Sequence, residues 1–130
     1  MLSKGYRTFN KICIVVAAST LPLIGTIYAA DFGLADVSSI VNTYKQNSPR
    51  FERDFVGKAF SAIMRLDSAH KNIFGSLTAA FGNSTVVCLD FIGDTRKIAD
   101  WNPGDQISVE GTIYDVTLGT LQLKTCSLHK

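Results

Sequence analysis

From Ala59 to Leu128 apolar residues recur at every second position in five short runs, and this period of two restricts the chain to a half-buried β-sheet. Successive side chains of a strand point to opposite faces, so each run marks one inward row and one outward row. In Ala59–Asp67 the inward set is Phe60, Ala62, Met64 and Leu66, with Ser61, Arg65 and Asp67 between them. Ile73–Phe81 places Ile73, Leu77, Ala79 and Phe81 on one face and Ser76 and Thr78 on the other. Thr85–Phe91 is almost wholly apolar, with Val87, Leu89 and Phe91 as the expected core side. Ile107, Val109, Gly111 and Ile113 line one face of Gln106–Val116, and Leu121 and Leu123 do so in Thr120–Leu128.

Turn chemistry separates these runs. Ser68–Asn72 and Gly82-Asn83-Ser84 read as hairpin connections, and Leu118-Gly119 as a tight turn. Asn102-Pro103-Gly104-Asp105 suits a type II turn, whose third position requires positive φ. The longest connection, Ile92–Asp105, has room for a helical turn within Thr95–Trp101. Ahead of the strands, Val37, Ile40, Val41 and Tyr44 recur at helical spacing. Asp36 is the expected cap of that helix, and Asn47-Ser48-Pro49 the expected stop.

The first thirty residues have a different character. Lys4, Arg7 and Lys11 precede an apolar run from Ile12 to Tyr28, and Ala29-Ala30 precede Asp31, the first acid. That order is a secretory signal peptide. The run is interrupted by Pro22 and Gly25 and is shorter than the roughly 20 residues of a spanning helix, which favours cleavage after Ala29 or Ala30. Ile27 or Tyr28 then occupies the −3 position in place of a small residue, so an uncleaved inner-membrane anchor is the alternative. Cys13 follows Asn10-Lys11-Ile12 at the start of the apolar run, which is not a lipidation site. No later segment is long and apolar enough to span. The expected organisation is a signal peptide at 1–30, a helix and linker at 31–50, and a barrel at 51–130. Without the leader, ten Lys and Arg face eleven Asp and Glu, so the chain's formal +2 becomes −1.

Five strands with the long connection between the third and fourth make an all-β OB-fold barrel with one N-terminal helix and a short helix between strands three and four. Several pieces carry a resemblance. Phe55-Val56-Gly57-Lys58-Ala59-Phe60, Val86-Val87-Cys88-Leu89-Asp90-Phe91, Pro103-Gly104-Asp105 before Ile107-Ser108-Val109-Glu110-Gly111, and Leu121-Gln122-Leu123-Lys124-Thr125-Cys126 together resemble the tRNA-anticodon-binding-like (tRNA anti-like) group of small exported bacterial OB-fold proteins. The similarity runs from about residue 36 to about residue 128. It implies a barrel and no particular activity, because a fold does not supply a function.

Export leaves two cysteines, Cys88 and Cys126, for which a disulfide is the default in an oxidising compartment. In an OB barrel the third and fifth strands are neighbours. With Val87, Leu89 and Phe91 inward on one, and Leu121 and Leu123 inward on the other, parity puts both cysteines on the outer face, where they can meet.

No catalytic or metal constellation is legible. The acids are dispersed, there is no CxxC, and His70 and His129 have no zinc spacing to either cysteine. No cofactor is expected. The ligand surface usual for this fold is the outer face of strands two and three with its bordering loops. It selects Arg65, His70, Lys71, Phe74, Ser76 and Thr78 as candidate contacts. Trp101 is read as plugging the barrel end near Phe51 or Phe55. The near-neutral charge and a lone stacking candidate, Phe74, argue against nucleic acid. The expected function is a non-enzymatic exported binding or accessory module, periplasmic or secreted, acting on a protein or envelope partner. A carbohydrate-binding oligomer built like toxin B subunits is the alternative, ahead of a single-stranded nucleic-acid binder. Ligand identity and oligomeric state are not legible.

Overall fold

The computed structural model describes residues 30–130. The expected signal peptide, with Cys13, lies outside the described residues except for Ala30. Among the described residues no helix is long and apolar enough to cross a membrane.

The alternating runs form β1 (Ala59–Lys71), β2 (Leu77–Phe81), β3 (Val86–Cys88), β4 (Gln106–Thr117) and β5 (Thr120–His129). They close into a barrel in the order β1-β2-β3-β5-β4. All neighbours are antiparallel except β3 and β5. Five strands closed in this order are an OB-fold barrel, as the strand pattern implied. Phe60, Met64, Phe81, Ile107, Val109, Ile113, Leu121 and Leu123 fill it. Each such side chain contributes roughly 1.5–3 kcal/mol relative to exposure. The helical turn expected in the long connection is a 3-10 turn at Arg96–Asp100.

The helical start is longer than its pattern suggested. α1 (Val37–Gln46) buries Val37, Ile40 and Val41 and packs against β5. Asp36 does not cap it through its side chain; that carboxylate instead accepts from the Gly33 N–H at 2.8 Å. Asn47 ends α1 and also begins α2 (Ser48–Asp54). Its side-chain oxygen accepts from the Arg50 N–H at 3.0 Å, and Pro49 sits in the first turn, where its missing N–H costs nothing. The stop signal is therefore a start signal too, and α2 runs through the expected junction at 50–51. Phe51 is buried beneath Tyr44 and Phe55, with ring centroids 5.3 and 6.1 Å away, and Phe32 meets Phe55 at 5.0 Å.

Two other expectations are corrected. β1 continues to Lys71 through a register shift between Leu66 and Ser68, so its turn falls at Asn72–Ser76. Ile73, expected in the core, is 92% exposed in that turn. The second correction concerns strand parity. In β3 the buried residues are Val86 and Cys88, with Val87 and Leu89 only partly covered. An unbroken apolar run contains no alternation from which to read its frame. In β5 the alternation holds at Leu121 and Leu123, then breaks at Thr125, whose φ is 54°, so Cys126 and Leu128 turn inward. Both cysteine assignments are thus reversed, for separate reasons.

Cys88 and Cys126 do form a disulfide, with Cα atoms 6.1 Å apart, but it lies in the core and both residues are fully buried. Gly111 makes room for it. A Cβ at that position would come within 3.0 Å of the Cys126 Sγ and 3.2 Å of the Lys124 carbonyl. The bridge encloses a separation of 38 residues, for which chain entropy gives about 4 kcal/mol. The paired substitution Cys88→Ala and Cys126→Ala should lower the urea-unfolding free energy by about 2–5 kcal/mol. In the unmodified chain, dithiothreitol should reduce the bridge only once urea opens the barrel. Ready reduction of the folded protein would place the bridge on the surface instead.

Candidate functional site

β1 changes partners along its length, and this creates the site. Over Ala59–Arg65 it pairs with β4; over Leu66–Lys71 it pairs with β2. The second half of β1 and the start of β2 therefore extend as an arm beyond the end of β4. Leu66 is where the β4 side closes. Its N–H donates to the Asp105 carbonyl at 2.9 Å, and its carbonyl accepts from the Gly104 N–H at 2.8 Å.

The tip of the arm is built by Asn72. Its carbonyl accepts from the Gly75 N–H at 2.9 Å, and its own N–H donates to the Ser76 carbonyl at 2.9 Å. Its side-chain oxygen accepts from the N–H groups of Phe74 and Ser76 at 2.8 and 3.0 Å. Gly75 supplies the positive φ, 82°, that a three-residue hairpin loop needs at its last position. The result is a pinned turn holding Ile73 and Phe74 almost wholly in solvent, the latter 85% exposed.

Beside the arm lies a groove of about 820 Å³. Ser68–Lys71 and Leu77 form one wall, and Thr95, Arg96, Ile98, Ala99 and Trp101 the other. Arg96 is tied to Asp94, donating from its backbone N–H at 2.9 Å and from Nε and Nη2 at 3.0 Å each. The guanidinium holds the Asp94 carboxyl below its usual range. Lys97 Nζ stands 6.0 Å from the Trp101 ring centroid. The wall ends in the Asn102–Asp105 turn, with Gly104 at φ 95° as its type II reading required. The Asp105 carboxylate accepts from the Asn102 N–H at 2.8 Å and pairs with Lys130 Nζ at 2.9 Å. Those contacts, the backbone donor first, depress its pKa.

The expected contact residues are distributed around this arm rather than across one strand face. His70 and Lys71 line the groove, and Thr78 stands opposite His70 in the ladder. Phe74 and Ser76 lie in the turn, not on β2. Arg65 lies in a second groove, of about 440 Å³, with Ile63, Asp67 and Gln106. The structure brings Trp101 and Arg96 to His70 and Lys71, a grouping that strand parity could not reveal because it spans a connection. Trp101 belongs to the groove wall and not to the cluster of Phe51 and Phe55. Among the described residues no group of three or more His, Cys, Asp or Glu is placed to hold a metal ion.

The fold and groove define an OB-fold barrel with a ligand-sized surface cleft. No family model matches the chain, and no curated protein matches it. Among solved structures it is similar to a candidate nucleic acid-binding lipoprotein from Klebsiella pneumoniae. The two are 14% identical with a TM-score of 0.49, over 72% of this chain and 88% of that one.

The depressed Asp105 pKa carries a sign. Its ionised form is favoured in the folded state, so its contribution is present above the unfolded carboxylate pKa and lost as pH falls through the lower folded value. Urea midpoints should therefore drop as pH falls below the ordinary Asp value of about 4. Asp105→Asn should flatten part of that drop. An acid profile unchanged by the substitution would show that Asp105 does not anchor the wall.

Proposed function

We propose that the chain is a non-enzymatic exported binding module that engages a protein partner of the cell envelope through the β1–β2 arm and its groove. The observation that carries this reading is the Ile73-Phe74 tip. Two consecutive large apolar residues are held in water by a network centred on Asn72, and neither contributes to the core. Burying each against a partner gains roughly 1.5–3 kcal/mol, a return that the isolated fold forgoes. The adjoining groove adds Trp101, a residue type enriched at binding hot spots. The leader and the disulfide support an extracytoplasmic location.

One observation favours a second reading, a single-stranded nucleic acid in the same groove. Trp101 stands with Lys71 and Arg96, an aromatic between two cations. Against it, Arg96 is already paired with Asp94, and the exported chain carries a formal charge of −1.

The double substitution Ile73→Ser and Phe74→Ser should reduce recovery of the cross-linked partner from periplasm about tenfold or more, in keeping with hot-spot losses. Its urea midpoint should match that of the unmodified chain. Undiminished recovery would remove the tip from the interface. A steep loss of binding to oligo(dT) with rising salt would instead support the second reading.

A further inference from the structure

We propose that the groove takes an extended segment of the partner as an added strand on the open edge of β1, through the backbone of Ala69 and Lys71. The inference deepens the proposed function and rests on it for the location of the contact.

β4 ends opposite Arg65, and the loop closes the edge only as far as Leu66. Beyond that point one edge of β1 belongs to β2 and the other faces the groove. The ladder identifies which backbone groups are free. Asn72 donates to the carbonyl of Ser76 across the turn. Antiparallel pairs alternate between bonded and non-bonded, so from Asn72 the residues bonded to β2 are His70 and Ser68. Ala69 and Lys71 then direct N–H and C=O away from β2, into the groove. Among the described residues no loop or side chain bonds to them there.

The opposite end of β1 has the same problem and solves it. Before β2 begins, the vacant edge at Ala59–Ser61 is covered by the segment ahead of α1. The Asp31 and Phe32 N–H groups donate to the Ala59 carbonyl at 3.1 Å each, and the Ser61 N–H donates to the Phe32 carbonyl at 3.0 Å. The chain thus covers one vacated edge of this strand and leaves the other open along the groove beside the arm. An open edge is a template for another strand.

The chemistry of the groove points to an acidic, alternating peptide. A peptide brings both donors and acceptors to the paired N–H and C=O groups, whereas a phosphate backbone offers only acceptors. No acid occurs from Ser68 to Leu89, and Lys71 stands on the arm, while Arg96 on the facing wall is already paired with Asp94. Leu77, Ile98 and Trp101 provide apolar surface for every second side chain. At about 3.3 Å per residue, the stretch from Ser68 to Lys71 matches three or four peptide residues.

Residue-resolved amide exchange on the exported chain tests the edge first. The Ala69 and Lys71 amides should exchange about tenfold or more faster than those of Ser68 and His70. Equal protection in the free chain would show that the edge is already covered, and the inference would fall. A phage-displayed library of random linear heptapeptides is then selected on the full chain. Recovered sequences should alternate apolar residues with Asp or Glu, and the synthetic peptides should slow Ala69 and Lys71 exchange about tenfold or more. N-methylation of alternate peptide amides on the β1-facing edge should abolish binding, whereas methylation on the other edge should not. Ala69→Pro, which removes an open-edge donor and no bond to β2, should also lose the peptide. If that variant misfolds, the methylated peptides decide alone. Failure to select any peptide, binding that leaves Ala69 and Lys71 unprotected, or indifference to N-methylation would each overturn strand addition. So would protection of these amides by oligo(dT) in place of peptide. Partner recovery that is lost with Ile73→Ser and Phe74→Ser but kept with Ala69→Pro would overturn strand addition and leave the proposed function standing. Recovery indifferent to both variants would remove both.

Discussion

The barrel depends on a short seam, the parallel contact between β3 and β5. β3 is only Val86–Cys88, matched to Leu121, Gln122 and Leu123. After it the chain departs from regular strand geometry but keeps bonding to β5. The Leu89 N–H donates to the Leu123 carbonyl, the Cys126 N–H to that of Asp90, and the Ile92 N–H to that of Cys126. A regular ladder would place Cys88 and Cys126 three residues out of register, about 10 Å along the strand. Their Cα atoms are 6.1 Å apart, because β5 bends at Thr125 and carries Cys126 into the core. The bridge therefore fixes a join whose regular ladder is only three residues long. A domain of about one hundred residues has little stability to spare for an open seam. Gly111 is part of the same arrangement, since a larger residue there would strike the Cys126 sulfur.

With the seam closed, the rest of the barrel can be asymmetric. β1 is long enough to serve β4 with its first half and β2 with its second, so the strand overshoots its neighbour and becomes an arm. The arm is a consequence of strand lengths: thirteen residues in β1 cannot all find partners in a five-residue β2. The pinned Asn72 turn then converts a structural overhang into a presented surface. The 3-10 turn at Arg96–Asp100 stands opposite and completes a cleft. The proposed binding surface is what the closed barrel leaves over.

Sequence pattern revealed the architecture because most of its runs alternate. Phe60, Met64 and Leu66, and again Ile107, Val109 and Ile113, announce both strand and frame. The type II turn at Asn102–Asp105 was legible for a local reason, since Pro and Gly each set one dihedral. Three features were hidden. Val86–Leu89 is apolar on both faces, so its frame depends on tertiary pairing. The bend at Thr125 breaks alternation at a residue with no turn signature. Asn47-Ser48-Pro49 has the same chemistry for ending one helix as for starting another. The candidate contacts His70, Lys71 and Phe74 were within reach because they sit together in sequence, but their setting was not. Trp101 joins them only after the connection between β3 and β4 folds back along the arm.

The proposed recognition surface is the arm and its groove, at the end of the barrel beyond Arg65. Tyr114 is exposed on β4 past Thr112, which pairs with Ala59 at the opposite end of β1. A photo-reactive amino acid placed at position 74 or at position 114 therefore compares the two ends directly in intact cells. Recognition at the arm predicts a discrete cross-linked adduct from position 74 and none from position 114. An adduct from position 114 with none from position 74 would contradict it.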